Sequence, residues 1–252
     1  MDEDTLALRR TQMGLAIQGW TAEPPAIGEV GTGYWVNLSG APSPDVNMVL
    51  VHTADPAGLG RTVELVAVMA CPTMLMLAGP GKGTRSSLDD GWQAVGSLPF
   101  MSIDLDEASR PGDVRVRQAG ANDYDVVVDL IAAAYGMARE IAGLAAEPLR
   151  RSDDVMKTWL LVEDGHAVST VITCAVDDTV SVWCMATPPR FERRGFGRAL
   201  LADVLGRGRE GGAEIGLLGA TPAGRPLYEA TGWTVLEEWD LYLKGESAQF
   251  PL

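Results

Sequence analysis

The sequence predicts a mixed α/β protein, and three features point there. Strand-like apolar runs alternate with amphipathic helical ones along both halves of the chain. The strands of the second half are joined by the hairpin signals Asp164-Gly165 and Asp177-Asp178. A glycine pair set among arginines, at 195–197, stands where a strand gives way to a helix.

The elements follow in order. Residues 3–19 read as an amphipathic helix, followed by a Gly/Pro-rich passage and strands at 34–40 and 47–52. A helix over 60–70 and an apolar strand over 73–79 come next, then a polar stretch and the apolar run 95–105. The segment 106-DEASRPGD-113 is polar and holds Pro and Gly, which marks a linker between a domain over 1–110 and a second over 113–252. Beyond it lie a strand at 114–119, a helix over 122–136 with an Asn or Asp cap, and a further helix over 137–150 that ends near Pro148. Strands at 158–163, 167–176 and 179–186 are followed by a helix running to about Arg209, a strand at 213–220 and the strand-like tail 233–244.

Composition excludes several classes. The 252 residues are 46% hydrophobic, enough for one large core or two smaller ones, and carry a net charge of −14, which argues against a nucleic-acid partner. No run of eighteen apolar residues occurs and the N-terminus is acidic, so no membrane partner is expected and the expected location is the cytoplasm. Cys71, Cys174 and Cys184 sit in apolar runs and only two histidines are present, which predicts buried thiols and no metal site.

Within this acidic chain, 190-RFERRGFGRALLADVL-205 is the one dense basic cluster. The first amides of a helix lack partners inside it, and the helix dipole favours negative charge there. Glycine lets an anion approach the backbone because no Cβ intervenes. A phosphate at this helix start is the reading these residues support.

The order of the second half resembles the GCN5-related N-acetyltransferase (GNAT) family over roughly residues 113–245. The family's loop R/Q-x-x-G-x-G/A is matched by Glu192, Arg193, Arg194, Gly195, Phe196 and Gly197, with Glu192 departing from the usual Arg or Gln. Its Y-x-x-x-G-F is matched by 228-YEATGW-233. The resemblance implies the acyl-CoA N-acyltransferase (GNAT) fold and acetyl-CoA as co-substrate. The amides of Arg193, Arg194, Gly195, Phe196, Gly197 and Arg198 would cradle the pyrophosphate, and Met185, Ala186 and Thr187 would line the cofactor at the end of the strand 179–186. Glu192 would turn outward, toward Arg190 or Arg193. Tyr228 matches the family's tyrosine, which protonates or hydrogen-bonds the departing sulfur; an ordinary tyrosine pKa near 10 suits a group that stays protonated. The strand 179–186 carries no carboxylate, so the base is open among Glu163, His166, Asp177, Asp178, a water or none.

The first half echoes the second. Gly58 and Gly60 with Arg61 reproduce the spacing of Gly195, Gly197 and Arg198, and Gly91-Trp92 reproduces Gly232-Trp233. Asp55-Pro56-Ala57 stands in place of Glu192-Arg193-Arg194, and Ser87 in place of Tyr228, so this half reads as a degenerate GNAT-like copy. Trp183, Tyr135 and Glu140 are the candidate acceptor-side residues, with Met137 and Glu147 nearby. The expected activity is acetyl transfer to the amine of a small molecule by direct attack on the thioester. Another acyl group, an oxygen acceptor, or a silent coenzyme A binder stays open, as does oligomeric state, a homodimer being one option.

Overall fold

The computed structural model describes residues 1–105, 112–151 and 155–245; residues 106–111 of the expected linker lie outside the described residues. The chain divides into two compact units. One comprises Met1–Met101, Gly219–Pro226 and Thr234–Leu252, the other Ser102–Leu218 and Leu227–Trp233. A linear division at 110–113 assigns the whole C-terminal part to one domain; tertiary contacts instead return the last strand to the N-terminal unit.

In the first unit, α1 (Glu3–Ala16) opens on Asp2, whose carboxylate accepts from the Thr5 amide at 2.9 Å. The strand β1 (Ile27–Gly31) falls inside the Gly/Pro-rich passage and forms a hairpin with β2 (Tyr34–Leu38). Gly33 turns this hairpin at φ 80°, and a Cβ there would lie 2.3 Å from Thr53. β3 (Asn47–Val51), α2 (Pro56–Met69) and β4 (Thr73–Leu77) make a parallel crossover. The helix α2 begins at Pro56 rather than Gly60, because Asp55 caps it by accepting from the Ala57 amide at 2.9 Å and Pro suits the first helical position. After a 3-10 segment over Gly79–Ser87 comes β5 (Trp92–Asp104), longer than the apolar run at 95–105 indicates. The core gathers Val36, Leu38, Val49, Leu65, Leu75 and Trp92.

The second unit starts with β6 (Val116–Gln118), α3 (Tyr124–Tyr135) and α4 (Arg139–Ala146). β7 (Met156–Glu163), β8 (His166–Val176) and β9 (Thr179–Ala186) continue an antiparallel sheet from β6. Asp164 and Gly165, at φ 49° and 78°, make the expected tight turn between β7 and β8. The helix α5 (Phe196–Glu210) crosses over to β10 (Ile215–Gly219), which lies parallel to β9. A short α6 (Arg225–Glu229) precedes β11 (Thr234–Lys244), and β11 pairs antiparallel with β4 of the first unit. Each unit thus holds an antiparallel pair followed by a parallel crossover: β2-β3-α2-β4 in one and β8-β9-α5-β10 in the other.

Strand alternation assigns the faces of the strands β6 to β9. Leu160 packs in a cluster with α3 and α4, including Val127, Ile131 and Ala142. Its neighbour Trp159 points the other way and lies under the Arg207 guanidinium of α5. Close helix packing on that face needs Gly208, where a Cβ would lie 2.8 Å from Val180. Buried Asp203 of the same helix accepts from the Gly112 and Asp113 amides at 2.8 and 3.1 Å, fastening the start of the unit to α5.

One buried charge cluster braces the first unit. Arg10 is fully buried and donates to both carboxylate oxygens of Glu237 on β11, at 2.6 and 2.7 Å, and to Glu3. Arg10→Ala strands the largely buried Glu237 carboxylate without its cation, so urea unfolding should show a loss of about 3–5 kcal/mol. His52 follows β3 and is 6% exposed, and its Nε2 has no partner among the described residues. Burial, then the Arg10 charge, pushes its pKa down to about 4 from 6.5. The unfolded chain therefore binds this proton at a higher pH than the folded one. Stability should be full above pH 6.5 and fall by roughly 3 kcal/mol as pH drops to 4. His52→Gln should flatten that part of the pH–stability profile.

Candidate active site

The glycine pair does open a helix, and only one of its members is there for backbone freedom. Gly195 sits at φ 81° and Arg193 at φ 62°, so the chain winds left-handed before α5 begins. The first bond of the helix runs from the Ala199 amide to the Gly195 carbonyl at 3.0 Å. The amides of Arg193 to Arg198 find no acceptor among the described residues. At Gly197 a Cβ would lie 3.4 Å from Met185 Cε and Thr187 Oγ1 and 3.6 Å from Leu227 Cδ2, ordinary contact distances that show the helix start neighbouring the end of β9.

Positive charge surrounds these amides. Arg190, Arg193, Arg194 and Arg198 are all exposed and make no ion pair among the described residues. Arg190 and Arg194 lie over the rings of Phe191 and Phe196, at 4.7 and 4.8 Å, which holds their guanidinium groups near the loop. Glu192 is exposed and pairs with neither Arg190 nor Arg193. The Phe196 ring is 5% exposed and belongs to the core, so only its amide would be available to an anion. Unpartnered amides, a glycine approach and four unneutralised arginines fit a diphosphate.

The end of β9 supplies the adjoining wall. β10 pairs with β9 only through Ile215, Gly216 and Leu217 opposite Thr179, Val180 and Ser181, so the strands part after Ser181. On its other side β9 carries a bulge. Thr170 and Ile172 of β8, with one residue between them, face Ala186 and Trp183, which have two. The extra residue lies at Cys184-Met185, where Cys184 takes φ 48°. The Tyr135 hydroxyl donates to the Met185 carbonyl at 3.0 Å, tying α3 to this bulge. Ser169 Oγ donates to the Ala186 carbonyl and shares a 2.8 Å hydrogen bond with Thr187 Oγ1. Trp183 is half-buried and its Nε1 donates to Ser181 Oγ at 2.7 Å.

Tyr228 stands on α6, 7% exposed, edge-on to Trp233 with ring centroids 5.8 Å apart. Its hydroxyl has no hydrogen-bond partner among the described residues. Burial, and secondarily the neighbouring Cys184 thiol, pushes its pKa up to about 12.

Other expectations fare differently. Glu140 is exposed on the first turn of α4, with nothing to join it to this constellation. Glu163 is ion-paired to Arg115 at 2.8 Å, and His166 is exposed beside the β7–β8 turn. Asp177 and Asp178 lie at the opposite end of β9, roughly 20 Å of strand from the bulge. Of the cysteines, Cys174 is fully buried as expected, but Cys71 and Cys184 are only half-buried. Cys184 escapes because the bulge rotates it out of the strand's alternation, and no turn residue in the sequence announces a bulge there.

In the first unit the same place is closed. The β3–β4 ladder runs to the strand ends and continues with the Ala78 amide donating to the Val51 carbonyl at 3.0 Å. The Asp55 carboxylate caps α2, and Pro56 has no amide to offer.

Comparison with known proteins agrees with this architecture. Residues 125–233 match the model of the acetyltransferase (GNAT) family. A GCN5-related N-acetyltransferase from Kribbella flavida superposes with a TM-score of 0.68 at 17% identity, covering 94% of this chain and 96% of that one. A GNAT-family acetyltransferase structure from Novosphingobium aromaticivorans, described as putative, gives 0.62 at 15% identity, covering 96% and 99%. A GCN5-related N-acetyltransferase from Sphaerobacter thermophilus gives 0.57 at 15%, covering 88% and 80%. These likenesses are of fold. No curated protein matches the sequence.

The two glycines should separate by experiment. Gly195→Ala forces a side chain into left-handed backbone and should lower stability by about 1–2 kcal/mol in thermal unfolding. Gly197→Ala meets only ordinary contacts and should stay within about 0.5 kcal/mol of the parent.

Proposed function

We propose that this chain, whose residues 125–233 match the model of the acetyltransferase (GNAT) family, transfers an acetyl group from acetyl-CoA to the amine of a small molecule. The observation that carries the reading is the run of unpartnered amides from Arg193 to Arg198, set beside the parted end of β9 and among four unneutralised arginines. Bound acetyl-CoA would supply an activated acyl carbon and a sulfur leaving group.

In this reading the α5 amides hold the diphosphate, with Arg190 and Arg194 adding charge-assisted contacts. Amides of β9 beyond Ser181 donate to the oxygen on which negative charge develops. The Tyr228 hydroxyl donates a proton or hydrogen bond to the departing sulfur; its raised pKa keeps it protonated at any physiological pH. Trp183 and Tyr135 border the acceptor side. No carboxylate reaches the bulge from Glu163, Asp177 or Asp178, so the amine arrives neutral or loses its proton to water. The first unit serves as a degenerate copy that binds no acyl-CoA, since Asp55 and the sealed β3–β4 end take up its anion site.

The test is calorimetric titration with acetyl-CoA, followed by an amine screen read by thiol release. The parent should bind at one site per chain in the micromolar range, about −8 kcal/mol. Gly195→Glu, which sets a carboxylate where the diphosphate lies, should bind nothing. No heat with the parent sinks the proposal. Tyr228→Phe should keep its affinity and lose about 100-fold in kcat; unchanged turnover would remove the acid role.

A further inference from the structure

We propose that Cys184 is a site of reversible thiol modification directed by the cofactor itself: a disulfide of coenzyme A exchanges onto its Sγ and closes the acyl site. The proposal rests on the coenzyme A reading above. Three placements support it. The bulge puts Cys184 at the parted end of β9, half-buried, whereas Cys174 on β8 is fully buried. Met185, next to it, lines up with Gly197 at the start of α5, and Leu227, next to Tyr228, meets the same glycine position, so strand end, helix start and α6 converge. Tyr228, more than nine-tenths buried, makes no hydrogen bond among the described residues and has the Cys184 thiol as an electrostatic neighbour.

A coenzyme whose diphosphate rests on the α5 amides and whose arm follows β9 where it parts from β10 brings its sulfur to the bulge. With acetyl-CoA, the acyl carbon is there for the amine. With the disulfide, a sulfur–sulfur bond is there instead, beside Cys184. Its thiolate attacks one sulfur; the Cys184–coenzyme bond forms, the old disulfide bond breaks, and the second coenzyme leaves as a thiolate. That thiolate takes up the proton Cys184 gave to solvent, so one thiol and one disulfide become another thiol and another disulfide, with no net redox change. The adduct occupies the cofactor site covalently, and a reducing thiol reverses it.

The experiment treats the full chain with coenzyme A disulfide or glutathione disulfide and follows intact mass and peptide mapping, alongside calorimetry with reduced coenzyme A. The expected result is a single coenzyme A adduct on Cys184, removed by dithiothreitol, slowed by excess acetyl-CoA, and absent in Cys184→Ser. Cys71→Ser should still form it. Binding raises the local concentration of the disulfide, so coenzyme A disulfide should react at least about tenfold faster than glutathione disulfide. Equal rates, an adduct on Cys71, or no adduct while calorimetry shows coenzyme A binding would overturn the proposal and leave the cofactor reading standing. No adduct and no coenzyme A binding would bring both down.

Discussion

Backbone amides inside a fold need acceptors, and the α5 entrance before Ala199, which adjoins the place where β9 parts from β10, finds none among the described residues. Everything else about the candidate site follows from that shortage. The parallel ladder to β10 ends after three pairs, so the two strands part after Ser181. The left-handed turn at Arg193 and Gly195 delays the first helical bond, which leaves a run of amides for an anion. Met185 and Thr187 at the end of β9 reach the Gly197 position, so strand end and helix start lie beside each other.

The first unit shows what happens when the same shortage is met internally. Its crossover β3-α2-β4 has the same connectivity, yet Val51 and Ala78 extend the ladder, and a Cβ at Gly81 would lie 2.2 Å from the Val51 carbonyl, so backbone is laid across the strand end. Asp55 supplies an anion of its own at the helix start. In place of an open site this unit carries a buried Arg10, held by Glu3 and Glu237, with His52 kept neutral beside it. One topology thus has two outcomes: in the first unit the chain itself completes the hydrogen bonding at the strand end, whereas in the second the amides from Arg193 to Arg198 find no acceptor among the described residues.

Electrostatics sharpen the contrast. Most arginines outside the loop meet a carboxylate or a ring, as Arg61, Arg115, Arg117, Arg139 and Arg207 do with their acidic partners. In a chain of net charge −14, four arginines left unneutralised around one helix start form a local positive field that points to a ligand and not to the fold.

Periodicity was enough to read most of the elements, because hydrophobic spacing and turn residues such as Asp164-Gly165 act locally. The helix start at 195–197 was legible for the same reason, its glycine positions being set by short-range geometry, whereas Tyr228 entered as a candidate only through the motif resemblance. Local rules also misread α2, whose glycines resemble those of α5 although Asp55 and Pro56 start the helix earlier. The bulge at Cys184, the parting of β9 from β10, the return of β11 to the first unit and the distance of Asp177 and Asp178 from the site were beyond the sequence. Each depends on which strand lies beside which and in what register, and that is chosen by packing between residues far apart in the chain.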